Sequence, residues 1–119
     1  MTLPILRPFG LAGAALMALA FAPVHDAQAE PGVHIQAPAN GAKLDAMEQN
    51  RVVYKVDPGP RGDHVHLYVD GKEVAILRER EGSYPLETLA PGAHELCVKI
   101  VNKGHTPIGL QDCVKVAVE

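Results

Sequence analysis

His64-Val65-His66-Leu67-Tyr68-Val69-Asp70-Gly71-Lys72-Glu73-Val74-Ala75-Ile76-Leu77 is the stretch that decides the fold. Side chains of an extended chain alternate between two faces, so Val65, Leu67 and Val69 fall on one face and His64, His66 and Tyr68 on the other. Asp70-Gly71 divides this run from a second one. Asp-Gly between two alternating runs is the strongest short cue for a β-hairpin, because a type I′ turn needs positive φ at both central residues. A plain two-residue turn pairs Leu67 with Val74 and Val65 with Ile76.

The same period of two recurs on both sides of the hairpin. Residues 33–37 read as a strand ahead of the turn Pro38-Ala39-Asn40-Gly41, and residues 51–56 as another with Val52, Tyr54 and Val56 on one face. Residues 44–50 between them carry no clear pattern. Pro58-Gly59-Pro60-Arg61-Gly62 is a stiff loop. A further strand over residues 83–89 leads into Ala90-Pro91-Gly92, and two long strands, 94–101 and 111–118, close the domain around a loop holding His105. Their inward sets are Leu96, Val98, Ile100 and Val114, Val116, Val118. No stretch has the 3.6-residue period of a helix. The expected fold is all-β, an immunoglobulin- or fibronectin III-like sandwich of about seven strands. A hairpin centred on His105 sets Cys97 opposite Cys113 on the outer face, where a disulfide would join the last two strands of one sheet and add roughly 3 kcal/mol.

Residues 1–29 read as a secretory signal peptide: Arg7, an apolar run over 11–22, then Ala27-Gln28-Ala29 with small residues at −3 and −1 of a cut before Glu30. The apolar run is shorter than the roughly 20 residues a spanning helix needs, so no membrane insertion is expected after cleavage. The domain expected is then 30–119, in the periplasm or secreted, where paired cysteines oxidise. Both phenylalanines fall in the leader and the chain has no Trp, so the core must be aliphatic. The net charge of −3, without a basic run, argues against a nucleic-acid partner. No glycine-rich phosphate loop or nucleophile elbow is present, and Ser83 has no evident base, so the expected class is a non-enzymatic binding domain.

Five histidines follow the leader: His34, His64, His66, His94 and His105. An H-x-H pair on a strand sets two imidazoles on one face about 7 Å apart at the backbone, near enough for both rings to reach one ion at about 2.0 to 2.1 Å per bond. In a sandwich of this type the loop before residue 64 and the loop carrying His105 lie at the same end. His34 starts at that end as well and could approach as a fourth ligand, with Asp63 as another choice; His94 belongs at the opposite end. Neutral imidazoles suit copper(II) or zinc. The other reading of H-x-H is a solvated strand face. Arg61-Gly62-Asp63 matches an adhesion tripeptide short enough to recur by chance, and Asp57, Asp63 and Asp70 sit where turns favour Asp in any case.

Taken together, His64-Val65-His66-Leu67-Tyr68-Val69-Asp70-Gly71, then Pro91-Gly92-Ala93-His94, then His105-Thr106-Pro107 resemble a group of small secreted bacterial Ig-like domains. These carry an H-x-H-L-Y-x-D-G hairpin, a P-G-x-H strand start and a late His, and the resemblance covers about residues 33–118. It implies metal-ligand candidacy for His64, His66 and His105, while the match at His94 implies that part of the pattern is structural. The expectation is a periplasmic domain whose partner is a transition-metal ion, copper or zinc, held by His64, His66, His105 and His34. The alternative is a protein- or carbohydrate-interaction module without metal, docking a periplasmic partner through the outer sheet face around Tyr68.

Overall fold

The computed structural model describes residues 30–119, and the expected leader lies outside the described residues. Eight strands form and, among the described residues, no helix: β1 (Gly32–Ala37), β2 (Ala42–Leu44), β3 (Arg51–Asp57), β4 (His64–Val69), β5 (Lys72–Leu77), β6 (Glu81–Pro85), β7 (Gly92–Val101) and β8 (Pro107–Val118). They make two sheets, ordered β1-β3-β6 and β2-β8-β7-β4-β5. All neighbours are antiparallel except β2, which runs parallel to β8.

Period-two alternation supplies the core. Ile35 of β1 and Val52, Tyr54 and Val56 of β3 belong to one buried cluster with Val65 and Leu67 of β4, Leu96, Val98 and Ile100 of β7, and Val114 and Val116 of β8. Full burial of such an aliphatic side chain contributes about 1.5–3 kcal/mol, and the core is aliphatic apart from Tyr54, with Tyr84 packed against it. Cys97 and Cys113 are register partners and form a disulfide with Cα atoms 4.1 Å apart, on the outer face as the hairpin register requires.

Three expectations change. The segment after Asn40 contributes β2, three residues paired with Val116, Ala117 and Val118, too short for alternation to reveal. The strand expected over 83–89 is β6, Glu81–Pro85; Pro85 has no N–H to extend the ladder, and the chain leaves the sheet with Leu86 N–H bonded to Asn50 O at 2.8 Å. The hairpin turn has positive φ at both Asp70 and Gly71, 52° and 82°, but its register slips by one at a bulge between Leu67 and Tyr68. Leu67 therefore faces Ala75, and Val65 faces Leu77. Val74 and Ile76, expected inward, are 43% and 46% exposed, because one extra residue reverses the face of everything beyond it.

The loop before β4 is equally constrained. A Cβ on Gly62 would lie 2.3 Å from Pro58 O and 2.6 Å from Ile100 Cγ2, so only glycine fits where the chain turns into Asp63-His64. Asp63 N–H then bonds Val101 O at 2.8 Å, fixing the start of β4 against the end of β7.

Candidate metal centre

His64 and His66 lie on the outer face of the five-stranded sheet, yet they are only 3% and 2% exposed. The solvated strand face is thereby ruled out, since solvent scarcely touches either ring. His66 is opposite Lys99 on β7 and Ile76 on β5, and His64 is opposite Val101. The β7–β8 loop brings His105 to them: ring centroids stand 4.7 Å from His64 and 5.2 Å from His66.

That loop is built around Asn102. Its side-chain oxygen accepts from the N–H groups of Gly104 at 2.8 Å and Thr106 at 3.0 Å. Its own N–H donates to Thr106 O, and its carbonyl accepts from His105 N–H, each at 2.9 Å. His105 is held at φ 66°, the left-handed region that non-glycine residues enter at a cost of about 1–3 kcal/mol and that clusters at functional sites.

Three ring nitrogens converge. His64 Nε2 is 3.1 Å from His66 Nε2 and 3.2 Å from His105 Nδ1, and His66 Nε2 is 3.0 Å from His105 Nδ1. The far nitrogens of the two strand histidines face carboxylates. His64 Nδ1 donates to Asp63 Oδ2 at 2.8 Å. His66 Nδ1 lies at ion-pair distance from Glu73 Oε1, 2.9 Å, with no other partner among the described residues. A carboxylate beside Nδ1 favours the proton there, which turns the Nε2 lone pair outward, the arrangement found behind metal-bound imidazoles. With both strand histidines protonated at Nδ1, their Nε2 lone pairs face each other at 3.1 Å, and the single N–H that His105 can offer answers only one of them. A cation among the three nitrogens satisfies all.

Burial favours the neutral, ligand form of one of these rings. Burial pushes the His66 imidazole below its ordinary pKa, against the opposing pull of Glu73. The His64 hydrogen bond holds the Asp63 carboxyl below the usual carboxylate range. Neutral imidazole is what copper or zinc binds.

The remaining sequence candidates are elsewhere. His34 is not brought to the cluster: it sits on β1, its side chain 73% exposed, 3.6 Å from Asp112, because β1 belongs to the other sheet. Asp63 spends its carboxylate behind His64 and so orients a ring, rather than serving as a fourth ligand. His94 is at the far end as expected, with Nδ1 2.6 Å from Asp70 Oδ2 and Nε2 2.6 Å from Ala90 O. Both its nitrogens face acceptors, which favours the imidazolium form and ties the β4–β5 turn to the segment before β7. Sequence reasoning missed Glu73, whose only signal is its place opposite Tyr68 in the bulged hairpin.

Solved structures share this architecture. The chain is similar to fibronectin(III)-like modules of Clostridium thermocellum CbhA, at 22% identity and TM-score 0.61, over 73% of this chain and 95% of that one. It is also similar to part of an endo-beta-1,4-mannanase from Thermotoga petrophila, at 17% identity and TM-score 0.62, over 81% of this chain and 21% of that one. No family model matches the sequence, and no curated protein is significantly similar to it. At these identities the likeness defines the fold, a fibronectin III-like β-sandwich. Among the described residues no helix is long and apolar enough to cross a membrane.

Proposed function

We propose that this is a non-enzymatic secreted or periplasmic domain that holds a transition-metal ion, copper(II) or zinc, at His64, His66 and His105, to store it or pass it on. One observation carries the reading: three imidazole nitrogens within 3.0–3.2 Å of one another, two of them backed by carboxylates at the opposite ring position. The affinity order for a given nitrogen site favours copper. The disulfide and the composition of residues 1–29 support an oxidising compartment.

The test is a calorimetric titration of the purified protein with Cu(II) and Zn(II) at pH 7, repeated at pH 5 and on a His64→Ala/His66→Ala variant. Tight binding of one ion per chain that weakens at pH 5, as imidazoles protonate, and vanishes in the variant is expected. Binding that the variant retains, or no saturable binding, overturns the proposal. An interaction module is the second reading, favoured by the exposed Val74 and Ile76 of edge strand β5. It takes over if the metal titration is blank and a partner is captured through the face around Tyr68.

A further inference from the structure

Resting on the metal-binding reading above, we infer that the centre keeps coordination positions open and that a small anion fills one of them. The triangle of nitrogens is too small to surround an ion. Three imidazoles alone, with bonds of about 2.0–2.1 Å, lie flat around the metal with nitrogens about 3.5–3.6 Å apart. The observed edges are 3.0, 3.1 and 3.2 Å. At these edges an ion with bonds of about 2.0–2.1 Å stands about 1 Å off the nitrogen plane, with N–metal–N angles of about 98°. All three imidazoles then occupy one side of it, and the other side takes further donors.

The described residues do not supply them. Among the described residues no fourth His, Cys, Asp or Glu joins the three nitrogens within 4.8 Å, and Asp63 and Glu73 face the far side of the rings. A closed structural zinc site has four protein ligands, whereas three leave a position for water or an exogenous ligand. His105 is exposed, so solvent reaches the centre from its side.

Charge selects the class of ligand. Asp63 and Glu73 contribute two negative charges beside the rings. Arg78 Nη1 is 3.7 Å from Asp63 Oδ2, and Lys103 acts on the same carboxylate, so these four groups cancel. Lys99 is the register partner of His66 and extends over the Tyr68 ring at 4.5 Å, adding positive charge on the same face. A divalent ion therefore leaves the neighbourhood positive, which an anion offsets and a neutral donor does not. Water on such an ion loses a proton more readily than in bulk, so hydroxide belongs to the class of small anions the site would take.

Azide is the probe. Purified protein carrying one equivalent of Cu(II) at pH 7 is titrated with azide, following absorption, and its copper content is measured after desalting. The expected result is a saturable azide-to-copper charge-transfer band with the copper retained. An Arg78→Gln/Lys103→Gln variant, which leaves the three histidines in place, keeps its copper and binds azide roughly two- to fivefold more weakly, the range of an exposed charge interaction. Copper that stays bound with no new band means a filled coordination sphere and overturns the inference, as does azide that strips the copper. Unchanged azide affinity in the variant overturns the charge argument. A protein that takes up no copper fails the metal-binding reading itself, a result distinct from all of these.

Discussion

His105→Gly separates a ligand role for this residue from a structural one. At φ 66° glycine is at ease, so the substitution relieves roughly 1 kcal/mol of backbone strain, while the freer unfolded chain takes back about 0.4–1 kcal/mol. The metal-free variant should therefore be as stable as the parent, within about 1 kcal/mol. With metal the two diverge. An ion at 100 times its dissociation constant stabilises the parent by about 2.7 kcal/mol, a rise in Tm of about 10–20 °C at 4–8 °C per kcal/mol for a domain of this size. Loss of one of three imidazoles costs more than the roughly 10–100-fold that an outer partner costs. At the same metal concentration a variant weakened about 100-fold keeps about 0.4 kcal/mol, or about 2–3 °C. Thermal unfolding followed by circular dichroism, with and without Cu(II) or Zn(II), reads both quantities. A metal-induced shift that survives in the variant refutes the ligand assignment, and a metal-free variant destabilised by more than about 2 kcal/mol shows His105 to be structural.

Asp63→Asn and Glu73→Gln should each lower metal affinity by about 10–100-fold without removing a ligand; calorimetry giving unchanged affinity for both would deny the carboxylates their orienting role. Cys97→Ser/Cys113→Ser opens a loop of sequence separation 16 and should cost about 3 kcal/mol, measured by urea unfolding, with a loss under about 1 kcal/mol contradicting it. The His94–Asp70 pair should give a bell-shaped contribution to stability. Hydrogen bonds to Asp70 and Ala90 raise the His94 pKa, so its share is complete below the ordinary value of about 6.5 and fades as pH rises through the raised one. The Glu95 N–H, followed by His94, lowers the pKa of Asp70, so its share is present above about 3.9 and fades as pH falls through the lowered one. The stability difference between parent and His94→Gln should be largest near pH 5 and shrink on both sides; a difference independent of pH contradicts the pairing.

The sandwich was legible because alternation over β3, β4, β7 and β8 marks inward residues directly, and because Asp70-Gly71 and the His105 loop fix two hairpins that place Cys97 against Cys113. Parity also put His64 and His66 on one face. Their burial was not legible, since it comes from the β7–β8 loop folding over the sheet, a contact far apart in sequence. The bulge that exposes Val74 and Ile76 leaves no mark in a two-residue turn motif. His34 misled because lying near the same end of the sandwich does not place two residues on the same sheet face.

X-ray absorption spectroscopy on the protein loaded with one equivalent of copper(II) or zinc tests most directly whether His64, His66 and His105 share one ion. Three imidazoles at about 2.0–2.1 Å, reduced to two in His105→Gly, is the result this account predicts. A first shell of oxygen donors, or one with a single imidazole, would contradict it.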